Sequence, residues 1–284
     1  MKKIILFLLV VCFVGIDINS AQAQNVLDGV YVKEHAQFRR VVPFAHLREA
    51  DVMWSKRIWR VIDLDEKLNL PFRYPASKSM ADRASLIDVI MDAVEEGTLT
   101  AYSSIDDEFT LQLTKDEIEK VGGAGVDSTQ ITDPDPPYLT RDTVIKREFS
   151  RDKVIAYRIK EDWFFDKQRS VIESRLIGIA PMMYAEDDQG EIREGNIRIP
   201  LFWIYYPEAR NMLVNAEVYN RGNDAERRTY DDVFQKRMFN SYIFKESNVF
   251  DRRIEEYKTG IDALLEAERI KHEIINLEHD LWEF

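Results

Sequence analysis

Four histidines (His35, His46, His272 and His279) and a single cysteine, Cys12, are the residues of this 284-residue chain best suited to metal or nucleophilic chemistry. His272 and His279 lie seven apart, about two turns of a helix. That is beyond the i, i+3 or i, i+4 spacing by which two helical side chains share a zinc ion. His35 and His46 have no further ligands clustered around them, so the spacing supports no metal site. Gly122, Gly123 and Gly125 follow a helical pattern instead of a strand and precede no Lys-Ser/Thr pair, which removes the phosphate-loop and dinucleotide readings. No Gly-x-Ser-x-Gly elbow or Ser-x-x-Lys box occurs in a supporting context. Counting back from Gly190 places Ala185 where a calcium loop needs its first Asp, so the acidic run 186–191 reads as a solvated hairpin tip. Neighbouring carboxylates at Asp106-Asp107-Glu108 and Asp231-Asp232 are unremarkable in a chain with 51 acidic residues. Sequence shows none of the carboxyl separation that a glycosidase needs. No catalytic, cofactor-binding or metal-binding residue is assigned.

Aromatic and arginine density does stand out. Trp54, Trp59 and Arg60 share one segment with Lys56 and Arg57, and Trp163-Phe164-Phe165 sits beside Arg158 and Arg169. Core packing accounts for most aromatics, which bury large apolar areas. Trp, Tyr and Arg are also the residues enriched at binding hot spots. Arg48, Trp54, Trp59, Arg60, Arg158, Trp163 and Arg169 are therefore candidates for a partner interface, with core packing as the standing alternative.

The first 23 residues have the layout of an export signal. Lys2 and Lys3 precede an apolar run from Ile4 to Ile16, and Ala21-Gln22-Ala23 supplies the small residues of a cleavage site before Gln24. The apolar run ends at Asp17, short of the roughly 20 residues a membrane span requires. Cys12 lies inside the run with Val10 and Val11 before it, which does not suit lipidation, so it leaves with the signal. The mature chain then has no thiol for disulfide, nucleophile or metal. Removing Lys2, Lys3 and Asp17 leaves 37 basic and 50 acidic groups, a net charge of −13. That balance argues against nonspecific nucleic-acid binding, which needs cations on phosphates. The mature product is expected to be soluble and exported.

Residues 24–46 read as short extended pieces with a turn at Asp28-Gly29. Trp54, Ile58, Val61, Ile62, Leu64 and Leu68 fall at three-and-four spacing and predict a helix from about Asp51, stopped by Pro71 and Pro75. A second helix is predicted from Ala81 to Glu96, ended by Gly97, and a third opens on the Thr114-x-x-Glu117 capping box. A strand or two is expected within 99–113. The stretch 122–142 holds Asp133-Pro134-Asp135-Pro136-Pro137 and reads as a linker or long loop. It separates an N-terminal α+β region (24–121) from a C-terminal one (143–284). Ile155, Tyr157 and Ile159 alternate as in a strand, and 171–184 and 196–206 are β-rich runs. Leu201 to Tyr206 is apolar on both faces, as a central buried strand would be. Helical patterns follow at 207–217, 230–240 and, longest of all, from Phe250 to Trp282, where Gly260 interrupts. The long C-terminal helix reads either as packed on its own domain or as docking on a neighbouring subunit. The expected fold class is α+β: a helix-rich N-terminal region, a mostly antiparallel sheet with flanking helices and a long C-terminal helix.

Val26-Leu27-Asp28-Gly29-Val30-Tyr31-Val32-Lys33-Glu34-His35, Arg39-Arg40-Val41-Val42-Pro43 and the run from Leu47 to Asp63 (LREADVMWSKRIWRVID) closely resemble the GldN/PorN family. So does the block from Tyr157 to Ser170 (YRIKEDWFFDKQRS), followed by Ile177-Gly178-Ile179-Ala180-Pro181. The likeness runs over most of residues 26–222, leaving the role of the C-terminal helix uninherited. It implies a non-catalytic component of the type IX secretion system of Bacteroidetes, which exports proteins across the outer membrane and underlies gliding motility. By the same resemblance the protein is periplasmic and associates with an outer-membrane lipoprotein of the GldK/PorK type. It forms a ring with copies of itself and meets a GldM/PorM-type motor component. The family carries no catalytic motif and no cofactor to transfer, and its interface residues are not assigned by likeness. The rivals are a periplasmic ligand- or peptidoglycan-binding module and a hydrolase with an unrecognised carboxylate pair.

Overall fold

One antiparallel sheet collects strands from both halves of the chain. β1 (Val52–Asp63), β2 (Ala101–Ser103), β5 (Ala156–Asp166), β6 (Val171–Tyr184), β7 (Arg198–Pro200), β8 (Phe202–Tyr205) and β11 (Tyr242–Glu246) build it. Their order is β11-β1-β5-β6-β8-β2, with β7 also on β6. β9 (Glu217–Val218) and β10 (Arg228–Thr229) form a two-residue ladder of their own. This computed structural model describes residues 38–75, 83–123, 125–132, 140–147, 149–187, 192–223 and 225–281. The expected export signal, the expected turn at Asp28-Gly29 and His35 lie outside them. Residues Arg39–Phe284 make up one compact unit.

One sequence expectation is corrected. The segment from Val52 to Asp63 is a strand, not a helix. Its first half alternates between half-buried and exposed residues, and its second half, Ile58 to Ile62, is buried on both faces. With both faces apolar the two-residue period disappears, and what remains imitates helical spacing. The content of Val, Ile and Trp was the truer signal. Within the stretch 122–142, read as a linker or long loop, the backbone forms an antiparallel ladder, β3 (Gly125–Thr132) on β4 (Thr140–Arg147). The two sides of that stretch do not build separate sheets, because β1 and β2 from before it join β5, β6, β8 and β11 from after it.

Other expectations agree with the structure. Helix α1 (Leu86–Glu95) is capped by Ser85, whose hydroxyl accepts the Asp88 amide. Helix α2 (Lys115–Val121) follows Thr114, whose amide donates to the Glu117 carboxylate at 2.8 Å and holds it below its usual carboxylate range. Helix α3 spans Tyr206–Leu213 and α4 spans Tyr230–Gln235. The long last helix, α5, runs Ile261–Asp280. Gly260, at φ +58°, precedes its first turn instead of interrupting its middle. The fold is α+β, as expected. β8 lies between β6 and the edge strand β2, one place nearer the edge than a central strand.

Strand alternation divides the sheet into two faces. Ile62, Tyr157, Ile159, Ile179, Phe202 and Ile204 point to the side where α1, α3 and α4 bury Leu86, Ile90, Tyr206, Leu213, Tyr230 and Phe234. Phe72 anchors that core, its ring 5.5 to 6.4 Å from those of Tyr157, Tyr230, Phe234 and Phe239. Further along β1, Ile58 and Ile243 receive Ile254, Ala267, Ile270 and Ile274 of the C-terminal segment. On the opposite face Trp59, Val61, Ala180, Met182, Trp203 and Phe244 form a thinner apolar layer.

Candidate functional site

The sequence-selected aromatics and arginines divide between the two faces of β1 and β5. On the helix-covered face Glu161, fully buried, gathers two of them, Arg60 and Trp163, together with Arg237. Its carboxylate accepts from Arg237 at 2.7 and 3.2 Å and from the Trp163 indole at 3.0 Å. Arg60 lies 3.7 Å away and donates to the Ser241 hydroxyl and carbonyl at 2.8 and 3.1 Å. Arg237 also bonds Ser174 at 2.8 Å and lies 4.9 Å from the Trp163 ring centre. It adopts φ +52° just past α4, a left-handed backbone seldom taken by a residue with a long side chain. Burial pushes the Arg60 guanidinium down from its ordinary value, and Glu161 opposes that shift. This node ties β1, β5 and β6 to the chain leaving α4. Every carboxylate oxygen is used within it, which is the chemistry of a lock and not of a proton-transfer group.

On the other face Trp59 floors an open cleft of about 510 Å³. Its indole N–H donates to Asp107 Oδ2 at 2.6 Å. Lys160, opposite Trp59 on β5, donates to the Asp107 carbonyl at 2.6 Å and lies 5.8 Å from the Trp59 ring and 5.5 Å from Phe109. Lys245 comes opposite Trp59 because β11 shifts register there, with Phe244 as the extra residue. Its ammonium sits 4.5 Å from the ring and 2.6 Å from Asp251. Arg57 chelates Asp162 at 2.7 and 2.9 Å. Burial pushes the Lys160 ammonium down, and Asp107 pulls it back. Four cations face four carboxylates across this cleft. Three of the carboxylates, Asp107, Asp162 and Asp251, are held in ion pairs. Asp107, Asp162 and Asp251 are thus each committed to a cation of this chain. Asp107→Ala should therefore act on the fold, removing one charge-assisted bond and the indole's acceptor. A loss of about 1–3 kcal/mol is expected, read as a lower urea midpoint.

The remaining candidates do local work. Arg158 lays its guanidinium 4.4 Å from the Phe244 ring, and burial pushes its pKa down. Trp54 is half-buried beside Ile58 under α5. Arg169 closes the β5–β6 turn with Asp166 at 2.7 Å and Glu173 at 2.5 Å, and Arg48 bonds Asp51 at 2.8 Å. Each of these candidates thus has contacts within its own chain. Sequence reasoning passed over Glu161, Arg237, Lys160, Lys245 and Asp107. The signal for two of them was visible: Lys160-Glu161 puts adjacent charges inside an apolar strand, and charges so placed must be paired.

The most exposed apolar surface lies instead on α5. Ala267, Ile270 and Ile274 face the sheet, whereas Ile261, Leu264, Leu265 and Ile275 face outward, Leu264 and Leu265 with 58% and 63% of their surface exposed. At 100° per residue these outer positions gather on one stripe, well over 90° around the helix from the buried one. Val249 and Phe250, in the turn after β11, add 97% and 71% exposed apolar groups. Among the described residues no group of His, Cys, Asp and Glu could hold a metal ion. Nor is any described helix long and apolar enough to cross a membrane.

The sequence profile of one family, described as gliding motility associated protein GldN, matches residues 47–283. A search of curated proteins returned no match. The profile match continues past residue 222, through the C-terminal helix that the resemblance left uncovered. It starts at 47, so the blocks within 26–43 lie before it. Spanning most of the chain and both faces of the sheet, it shows that this protein belongs to the GldN family of gliding motility associated proteins.

Proposed function

We propose that this chain is a non-catalytic structural subunit of a periplasmic type IX secretion assembly, supporting export across the outer membrane and gliding. Membership of the GldN family carries the reading. The balanced, ion-paired cleft at Trp59 and the buried node at Glu161 suit a scaffold better than a hydrolase. The basic, apolar and small-residue layout of residues 1–23 supports export to the periplasm. A GldK/PorK-type outer-membrane lipoprotein, a GldM/PorM-type motor component and further copies of this chain are the proposed partners. The outward stripe of α5 is the proposed contact for one of them, because contiguous exposed apolar groups mark interaction sites.

Size exclusion with light scattering tests this on the chain from Gln24, alone and mixed with its cognate lipoprotein. A stable co-complex is expected. Leu264→Glu with Leu265→Glu should weaken it at least about tenfold, with an unchanged urea midpoint because neither side chain is buried. No complex at micromolar concentration would remove the subunit reading. A complex indifferent to the double variant would remove α5 from the contact.

A further inference from the structure

A groove beside the β9–β10 ladder differs in charge from the rest of this acidic chain. Tyr74 and Tyr219 line it, their ring centres 4.5 Å apart, with Leu70 alongside. Lys67, Arg73 and Arg221 surround them, and among the described residues no carboxylate lines the groove. It encloses about 500 Å³ and opens into a second lobe of about 620 Å³ that shares Lys67, Tyr219 and Arg221 and adds Arg228. Arg228 is chelated by Glu226 at 2.8 Å, and Arg73 is 3.7 Å from Asp65. Lys67 and Arg221 have no ion-pair partner among the described residues. In a chain of net charge −12, two unpaired cations beside a tyrosine pair suit an anionic, apolar occupant.

We propose that this groove takes the segment Asp133-Pro134-Asp135-Pro136-Pro137-Tyr138 of a second copy of the chain. The proposal rests on, and deepens, the reading that copies of this subunit contact one another. Three observations carry it. Between Gly122 and Thr140 the sequence has three Asp and no cation, the complement of the groove. Closely spaced prolines favour an extended chain with little left to order, the type of ligand that aromatic-lined grooves recognise through proline rings on tyrosine faces. Finally, 133–138 joins β3 to β4, and among the described residues those strands pair only with each other. A two-stranded ribbon is marginal by itself in water, so docking of the joining segment adds support to it. Tip and groove are different patches, so the contact is head-to-tail, the kind that propagates around a closed assembly.

The chain from Gln24 has no cysteine, which permits a direct test. Tyr138→Cys and Leu70→Cys are made singly, mixed and treated with a short bismaleimide, with and without the lipoprotein. Dimer in the mixture should exceed that from either variant alone by about tenfold or more. Lys67→Glu with Arg221→Glu on the Leu70→Cys partner should abolish the excess, and Asp133→Lys with Asp135→Lys on the Tyr138→Cys partner should restore it. Equal dimer in mixed and separate samples would overturn the proposal. So would a variant carrying both cysteines that links only within one chain. Light scattering on the same samples separates the two readings. Assembly with no tip-to-groove link removes only this contact, and absence of all assembly removes the subunit reading with it.

Discussion

Glu161→Gln is expected to lower the free energy of unfolding by about 3–5 kcal/mol, the cost of stripping one partner from a buried ion pair. Glu161 is fully buried, and the carboxylate compensates two guanidinium groups at once: Arg237 at 2.7 Å and Arg60 at 3.7 Å. Gln keeps the shape but withdraws the charge, leaving two cations in a region shielded from water. Replacing all three groups is different. Glu161→Leu combined with Arg237→Met and Arg60→Met removes the charges with their counter-charge, and should recover much of the loss. Urea titration at neutral pH, followed by tryptophan fluorescence, reads both variants. Arg169→Ala is the control: it breaks ion pairs to Asp166 and Glu173 on an exposed turn, where screening limits such pairs to about 1 kcal/mol or less. A Glu161→Gln shift no larger than that of the control would mean that water reaches the node.

The contrast between these two arginine sites explains why the fold class was readable from sequence and the site was not. α1 and α2 were legible because each carries its own signal, an apolar stripe with a Ser85 or Thr114 cap. β6 was legible because residues 171–184 are rich in β-branched and apolar residues and end at an acidic hairpin tip. β1 was misread because Ile58 to Ile62 is buried on both sides. Burial on both sides comes from α5 packing over Ile58 and, on the other face, from the segment carrying Asp107 against Trp59, 48 residues away in sequence. The same non-locality hid the node. Arg60 and Trp163 were selected for their residue types, but what joins them is Glu161, held by Arg237 from beyond α4. No spacing rule connects positions 60, 161 and 237. The register of β1 on β5 brings the first two together, and Arg237 reaches them from the chain after α4. The stretch 122–142 shows the same limit. Asp and Pro between two strands and Asp and Pro in a linker are the same composition, and the pairing of β1 with β5 across that stretch has no local signature.

α5 gives the sharpest separation of packing from function, because its two apolar stripes serve different neighbours. The sequence pattern slips between Leu264 and Ile270, and the slip marks a change of face: Ile261 and Leu264 point outward, whereas Ile270 and Ile274 meet Ile58 and Ile243. Ile270→Ala removes a fully buried side chain and should cost about 2–5 kcal/mol of stability, from lost transfer energy plus the cavity left behind. Leu264→Ala, on the exposed outer stripe, should stay within about 0.5 kcal/mol, as surface substitutions do. Denaturant midpoints of the two single variants measure the difference. Binding to the lipoprotein should follow the opposite order once both are compared below their unfolding midpoints. Ile270→Ala keeps the outer stripe intact, and Leu264→Ala takes a large exposed group out of it. Deleting the whole segment from residue 250 would mix these effects, since it uncovers Ile58, Ile243 and the half-buried Trp54 and Trp163 while removing the outer stripe. Point variants keep them apart. Equal stability losses from Ile270→Ala and Leu264→Ala would show that the outer stripe is packed on this chain, and would leave it no surface to offer a partner.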